Sequence, residues 1–150
     1  MREKLLVSAC LLGTNCKYSG GNNRNEEALG LRGSYDLIPV CPEQLGGLPT
    51  PREPAEISVD RVITASGADV TANYEKGAAE ALAIARTLGC RKAVLKERSP
   101  SCGCGQVYDG TFRSVLREGD GVTAALLKKN GIAVTGESGV HTLLEKHDLK

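Results

Sequence analysis

Four short apolar runs recur along this chain of 150 residues, and they constrain its fold more than any other feature of the sequence. They cover residues 5–9, 37–40, 93–97 and 132–135, and each has the length of a buried β-strand. Segments with helical patterning lie among them, and alternation of strands with helices is typical of a parallel sheet covered on both faces. We therefore predict an α/β fold in one domain, residues 1–150, with a mostly parallel, three-layer, Rossmann-like sheet flanked by helices.

The clearest helical pattern begins near Asp69 or Thr71, since either side chain can cap a helix, and it ends at Gly89, a residue type that commonly terminates helices. Its apolar stripe follows the spacing of an amphipathic helix. The stripe comprises Tyr74, Ala78, Ala81, Leu82, Ala85 and Leu88. Residues 57–63 alternate apolar and polar side chains, which predicts an edge strand or a hairpin.

The remaining segments combine a long loop, a stiff loop and two further helices. Residues 13–33 are rich in Gly and Asn, and a loop of this length in a small domain is often functional. Residues 42–54 contain four prolines, which restrict the backbone. A helix is predicted over residues 122–130 with Asp120 as its cap, and a last helix is predicted with Ser138 as its cap.

Charge and composition argue against several functional classes. Lys and Arg total 19 and Asp and Glu total 18, so the net charge of +1 gives no support for bulk nucleic-acid binding or attraction to a membrane surface. Aromatic residues make up 3% of the chain, with no Trp, which disfavours a site that stacks single-stranded bases. The sequence shows no signal peptide and no run of the roughly 20 apolar residues that span a bilayer. We predict a cytoplasmic protein with no membrane partner.

Three cysteines each follow an apolar run. Cys10 follows the first run, Cys41 follows the second, and Cys102 lies shortly after the third. Parallel α/β sheets bind ligands in the crevice beyond the carboxyl ends of their strands, so these thiols can meet at one point in space. Three soft ligands at one point indicate a metal or iron–sulfur site with room for a substrate.

Spacing alone leaves the type of thiol site open. Cys102 and Cys104 form a Cys-x-Cys pair rather than the Cys-x-x-Cys of zinc ribbons and thioredoxin-like centres. The alternatives are a non-catalytic metal or thiol module, such as a sulfur carrier that uses this pair, and a zinc-dependent hydrolase. The histidines, His141 and His147, fall on a predicted surface helix, which disfavours zinc sites that need His. Cys90, between a helix end and a strand, is best explained as a small core residue.

Five polar residues near these cysteines are candidates for handling a substrate. Glu43 can serve as a general acid or base, although an acid at this position also suits the first turn of a helix. Ser99 and Ser101 can cradle an anion or donate a proton, although Ser-Pro-Ser is also an ordinary turn sequence. Arg52 can grip a phosphate or carboxylate, with a surface Arg as the alternative. We assign Ser99, Arg52 and Lys96 to substrate binding.

The assembled motifs resemble the thiouracil desulfidase (TudS) family, long labelled a domain of unknown function. The resemblance covers most of the chain, from about residue 7 to residue 134. It rests on Val7-Ser8-Ala9-Cys10-Leu11-Leu12-Gly13, Tyr18-Ser19-Gly20, Val40-Cys41-Pro42-Glu43, Gly46-Gly47-Leu48-Pro49-Thr50-Pro51-Arg52, Asp69-Val70-Thr71, Lys96-Glu97-Arg98-Ser99-Pro100-Ser101-Cys102-Gly103 and Gly119-Asp120-Gly121-Val122-Thr123.

The resemblance implies a desulfidase with a 4Fe–4S cluster bound by three cysteines, which by their place in the motifs are Cys10, Cys41 and Cys102. One iron would stay open for the sulfur of a thiolated pyrimidine, either thiouracil or its nucleotide. Water would replace the sulfur, leaving uracil and releasing hydrogen sulfide in a non-redox reaction. Glu43 and Ser101 match the family positions that handle protons.

The other three thiols lie outside those ligand positions. They are Cys16, Cys90 and Cys104, and of these Cys104 could compete as a ligand because it is two residues from Cys102. The motifs leave open whether the substrate is the free base, a nucleotide or RNA.

Overall fold

The computed structural model describes the backbone of residues 2–148 and the side chains of residues 2–144. The strands in this part of the chain are β1 (Lys4–Ser8), β2 (Asp36–Val40), β3 (Ala55–Ser58), β4 (Arg61–Thr64), β5 (Lys92–Leu95), β6 (Gln106–Tyr108), β7 (Leu116–Glu118) and β8 (Ala133–Gly136). The α-helices are α1 (Glu26–Gly30), α2 (Pro42–Leu45), α3 (Thr71–Leu88), α4 (Val122–Lys129) and α5 (Val140–Asp148). None of these described helices has the length and apolarity needed to cross a bilayer.

Four strands form the central sheet, which is parallel throughout and has the order β2-β1-β5-β8. Leu5 of β1 lies between Leu37 of β2 and Lys92 of β5. Strands β1 and β5 are therefore paired on both edges, and their residues are mostly apolar because helices cover both faces. This sheet confirms the predicted α/β fold.

The side chains of the two inner strands alternate between two cores. Leu5 and Val94 lie in the core that includes residues of α1 and α5. Leu6 and Leu95 lie in the core that includes residues of α3 and α4. Full burial of each large aliphatic side chain stabilises the fold by roughly 1.5–3 kcal/mol, so these two cores set the position of every strand end.

Two antiparallel hairpins, β3–β4 and β6–β7, lie outside the central sheet. The first is the hairpin predicted around residues 57–63, whereas the second lies in a Gly-rich segment without a strand signal. A small third core joins them, because Val107 of β6 packs with Ile57 and Val62 and with Tyr74 of α3. Both hairpins are thereby fixed to each other and to the longest helix.

The predicted cap of α4 is wrong. The residue before the first turn of α4 is Gly121, which makes no side-chain cap. The Asp120 carboxylate instead accepts hydrogen bonds from Gly105 N at 2.8 Å and Lys128 Nζ at 2.9 Å. Asp120 therefore joins the start of the β6–β7 hairpin to the end of α4, a long-range contact that local patterning does not reveal.

Two further predictions, about the start of α5 and the last turn of α3, are wrong, and one, about the end of α3, is confirmed. Ser138 lies in a 3₁₀ turn and its hydroxyl donates to Glu97, while α5 begins only at Val140. Leu88 is 39% exposed because it lies in the last turn of α3, beyond the edge of the core. Gly89 ends α3 as predicted, in the left-handed conformation with a φ of 74°.

Two glycines allow α2 and α3 to pack at backbone contact. A Cβ on Gly77 of α3 would lie 1.9 Å from the carbonyl oxygen of Pro42, and one on Gly46 would lie 2.0 Å from that of Asn73. No other residue type fits at either position without moving one of the backbones. This contact fixes α2 at the end of β2, where the candidate site begins.

Candidate active site

Three cysteines predicted as ligands lie at the carboxyl ends of neighbouring strands. Cys10 lies in the 3₁₀ turn that follows β1, Cys41 directly precedes α2 at the end of β2, and Cys102 lies in the loop after β5. Because the sheet order is β2-β1-β5, these strand ends are adjacent. All three cysteines line one cavity of about 520 Å³, a volume typical of small-molecule sites.

Cys16, which the motifs place outside the ligand positions, lines the same cavity. Its side chain is 1% exposed, and its carbonyl oxygen accepts a hydrogen bond from Cys41 Sγ at 3.7 Å. Burial raises the pKa of the Cys16 thiol to about 12, and the neighbouring Cys41 adds to the shift. The sequence signal for this fourth thiol is weak: Cys16 lies in the long loop after β1. Local patterns do not show that the loop returns to the cavity, because its path is set by tertiary contacts.

Two further thiols of the cavity, those of Cys102 and Cys10, also have raised pKa values. Burial raises the pKa of Cys102 to about 12, and hydrogen bonds from the Ser8 and Ser101 side chains oppose that shift. Burial also raises the pKa of Cys10, against the hydrogen bond that Asn23 Nδ2 donates to its sulfur at 3.4 Å. A soft metal that binds here must therefore displace protons, and these donors then stabilise the thiolates.

Glu43 lines the cavity with one carboxylate oxygen anchored. Its Oε1 accepts hydrogen bonds from Tyr74 Oη at 2.5 Å and from Arg52 Nε at 3.3 Å. Burial, together with the adjacent carboxylate, raises the pKa of the Tyr74 hydroxyl, so Tyr74 stays a neutral donor. Within the described residues Oε2 accepts no hydrogen bond, which leaves it available to a water or substrate. The apolar stripe indicated only a core role for Tyr74.

Arg52 makes hydrogen bonds to several other residues of the protein. Its side chain is 5% exposed, and its Nη2 donates to the carbonyl oxygen of Cys16 at 2.9 Å. Its Nη1 donates to Pro49 O at 3.1 Å and to Thr50 Oγ1 at 3.0 Å. The guanidinium thus ties Glu43 to the Cys16 loop. Its predicted role in binding substrate remains a prediction.

The two serines beside Cys102 have different surroundings. Ser99 lines the cavity, and its Oγ accepts hydrogen bonds from the backbone N–H groups of Ser101 and Cys102, both at 3.1 Å. Ser101 is 1% exposed, does not line the cavity and shares a hydrogen bond of 2.8 Å with Thr123 Oγ1. The structure therefore brings Ser99 to the cavity and keeps the Ser101 hydroxyl behind Cys102.

Lys96 also lines the cavity. Its Nζ contacts Glu137 Oε2 at 3.1 Å and donates to the carbonyl oxygen of Glu97 at 2.9 Å. The ammonium is therefore held at one edge of the cavity by an ion pair that sequence reasoning did not predict.

The remaining cysteines and the histidines lie elsewhere. Cys90 is 6% exposed in the core beside α3 and α4, as its packing interpretation predicts. Cys104 does not line the cavity, and its sulfur donates to Val134 O at 3.5 Å. His141 is exposed on α5, and the side chain of His147 lies outside the described residues. Among the described residues, no group of three or more His, Cys, Asp or Glu side chains is arranged to hold a metal ion.

Comparison with known proteins identifies the family. A model of the 2-thiouracil desulfurase family matches residues 5–139, nearly the whole chain. The chain belongs to the 2-thiouracil desulfurase family. One relative, the uncharacterized protein YbbK of Bacillus subtilis (strain 168), is 43% identical to this chain. The match covers 93% of this chain and 99% of YbbK. A solved structure, the [4Fe-4S]-dependent thiouracil desulfidase TudS (DUF523Vcz), is 44% identical, covers 99% of this chain and 100% of its own, and has a TM-score of 0.90.

These matches confirm two of the expectations drawn from the sequence. The motifs are those of the 2-thiouracil desulfurase family, and the parallel α/β architecture is shared with the solved TudS structure over the whole chain. The matched range of the family model contains all four cavity cysteines and Glu43.

Proposed function

We propose that this protein is a [4Fe–4S]-dependent thiouracil desulfidase, which converts a thiolated pyrimidine and water into uracil and hydrogen sulfide. Membership of the 2-thiouracil desulfurase family and the likeness to TudS support this function. The observation that carries it is the convergence of Cys10, Cys41 and Cys102 with Glu43 on one cavity of about 520 Å³.

The residues present fit an iron–sulfur cluster. Cys10, Cys41 and Cys102 are soft donors on rigid strand ends, and iron–sulfur clusters are bound by cysteine thiolates. A cluster distributes its protein ligands over several iron atoms, so its cysteines stand further apart than the ligands of one tetrahedral ion. Cys10, Cys41 and Cys102 lie on three separate segments around one cavity, which suits ligands spread over several iron atoms. When bound through three cysteines, such a cluster supplies a Lewis-acidic iron for the sulfur of the substrate.

Glu43 is the proposed general base. Its Oε1 is held by Tyr74 and Arg52, which leaves Oε2 to accept a proton from the attacking water. The water oxygen bonds to the ring carbon, the carbon–sulfur bond breaks, and the sulfur leaves with two protons as hydrogen sulfide. Carbon keeps its oxidation state in this exchange, so no electron donor or acceptor is needed.

The other predicted residues have supporting roles in this proposal. Ser99 lines the cavity and can donate its hydroxyl proton to a ring heteroatom while its oxygen accepts two backbone N–H groups. Lys96 contributes positive charge beside an incoming anionic group. Ser101 affects protonation indirectly, because its hydrogen bond to the Cys102 sulfur opposes the rise in the pKa of that thiol. Arg52 positions Glu43.

The alternative is a sulfur carrier that uses Cys102 with Cys104. The geometry gives it no support, because of these two cysteines only Cys102 lines the cavity. A functional site that depends on reduced thiols favours the cytoplasm, where thiols are kept reduced.

Anaerobic purification and cluster reconstitution test the proposal directly. We expect brown protein that contains iron and acid-labile sulfide and that releases sulfide and uracil from 2-thiouracil or 4-thiouracil. The Cys41→Ser variant should lose both cluster and activity, whereas Cys90→Ser, which changes a core thiol, should keep both. Protein that carries the cluster but releases no sulfide from any thiolated base or nucleotide contradicts the desulfidase function.

A further inference from the structure

Aromatic side chains are concentrated at the mouth of the cavity. The chain contains only four Tyr, one Phe and no Trp, and three of these five residues, Tyr18, Tyr108 and Phe112, line the cavity. Phe112 is 38% exposed and Tyr18 is 49% exposed, so neither is buried as a core residue would be. Scarcity over the whole chain therefore does not prevent an aromatic site, because tertiary structure gathers the few aromatics in one place.

Phe112 has a backbone conformation that is unfavourable for a residue with a side chain. Its φ is 58°, and Ser114 two residues later has a φ of 59°. For residues with a Cβ this left-handed conformation is unfavourable and persists only when surrounding contacts impose it. A large apolar side chain held half-exposed in such a conformation contributes little to the core, which points to a role at the surface it faces.

Contacts from β3 impose that conformation. Glu56 Oε1 accepts hydrogen bonds from the backbone N–H groups of Gly110 at 3.0 Å and Phe112 at 3.1 Å. The base of the loop is closed by a hydrogen bond of 2.9 Å from Asp109 N to Val115 O. Glu56 itself lines the cavity. The β6–β7 loop is thus fixed to the cavity wall by a single carboxylate.

We propose that Phe112 is a substrate-binding residue that stacks on the face of the pyrimidine ring, and that Glu56 is the residue that positions it. The inference rests on the proposed function and deepens it. Cys10, Cys16 and Cys102 are buried where they line the cavity, whereas Phe112 lines it while 38% exposed, so a ring whose sulfur reaches the thiols can extend toward the Phe112 side chain. Base stacking on aromatic side chains is tolerant of ring substituents, which suits a site that accepts thiolated pyrimidines as a class.

The test compares the loaded enzyme with two pairs of variants and one control variant. Phe112→Ala should raise KM for 2-thiouracil about tenfold, equivalent to about 1.4 kcal/mol, with kcat within about twofold, while Phe112→Tyr keeps both constants. Glu56→Ala should raise KM similarly, and Glu56→Gln should not, because the amide oxygen can still accept both N–H groups. Val115→Ala is the matched control, since Val115 is 47% exposed on the same loop and does not line the cavity.

Uracil affinity, measured on the same holoenzymes by calorimetry, separates this inference from the proposed function. Weaker uracil binding by Phe112→Ala supports stacking even if the wild type releases no sulfide. An unchanged KM and uracil affinity in Phe112→Ala overturn stacking while leaving desulfidase activity intact. A KM increase in Phe112→Tyr or Val115→Ala as large as that in Phe112→Ala also overturns it, because the effect would then be structural.

Discussion

The two walls of the cavity are built in different ways. The thiol wall consists of Cys10, Cys41 and Cys102 with Glu43. Cys10 and Cys102 follow β1 and β5, which are paired on both edges, while Cys41 and Glu43 lie at the start of α2, which packs against α3. The hairpin wall consists of β3–β4 and β6–β7, each a separate two-stranded sheet, and carries Phe112. Under the proposed function, the reacting groups would lie at the central sheet and α2, and the residue proposed to stack on the ring would lie on a hairpin.

The two walls also differ in how deeply the residues that hold them are buried. The thiols and Tyr74 have raised pKa values because burial disfavours their ionised forms. The hairpin wall is held by the small buried core around Val107 and by solvent-exposed contacts such as the ion pair of 2.8 Å between Arg61 and Asp69. Substitutions on the thiol wall should therefore have larger effects than those on the hairpin wall.

The largest effect is expected for Cys102→Ser. Loss of one of three ligands should leave iron near background and reduce sulfide release by more than about 10³-fold, as for an essential metal ligand. Iron analysis and a methylene-blue sulfide assay measure this. Cys104→Ser is the control two residues away, and it should keep cluster and activity because its thiol is outside the cavity. Equal losses in both variants would break the distinction between cavity and non-cavity thiols.

Glu43→Gln should lower kcat by about 10²–10⁴-fold with the cluster retained, because a general base is removed while the side-chain shape stays. Stopped anaerobic assays with parallel absorbance spectra measure both quantities. Tyr74→Phe is the matched variant: it removes one hydrogen bond to Oε1, so its effect should be smaller. A Glu43→Gln enzyme with wild-type kcat would mean that the thiol wall supplies no base.

Gly77→Ala should lower the free energy of unfolding by about 1–3 kcal/mol or more, since a Cβ there would lie 1.9 Å from the Pro42 carbonyl oxygen. Urea unfolding of the cluster-free protein measures this change. In the control Gly30→Ala, the new Cβ meets no atom within 4 Å, so that variant should be neutral or slightly stabilised. Wild-type stability in Gly77→Ala would show that α2 can move away from α3.

The smallest effect is expected at the hairpin wall, in Asp69→Asn. Hydrogen bonds from Thr71 and then Arg61 lower the pKa of Asp69 from 3.8 to about 2. A lowered pKa stabilises the fold above the unfolded value, and this stabilisation is lost as the pH falls from about 4 through 2. The difference in thermal midpoint between wild type and Asp69→Asn, measured on cluster-free protein, should shrink over that interval. A difference in thermal midpoint that stays constant between about pH 5 and about pH 2 would contradict this prediction.

Local patterns predict much of the thiol wall and little of the hairpin wall. The apolar runs that became β1, β2 and β5 could be read from the sequence because buried parallel strands are continuously apolar. Cys10 and Cys41 follow their runs directly and Cys102 lies shortly after the third, so the geometry of parallel sheets predicts that they can meet. The β6–β7 hairpin is short and Gly-rich, and its position depends on Val107 packing against Ile57 and on the Glu56 carboxylate.

The α/β class, the three strand-end cysteines and the acid beside them can be predicted from the sequence, because each is encoded within a few consecutive residues. Local patterns do not predict that Cys16 lines the cavity, that Ser101 lies behind Cys102, that Tyr74 anchors Glu43, or that Phe112 lines the cavity. These placements depend on loop paths and side-chain directions, which contacts between residues distant in sequence impose.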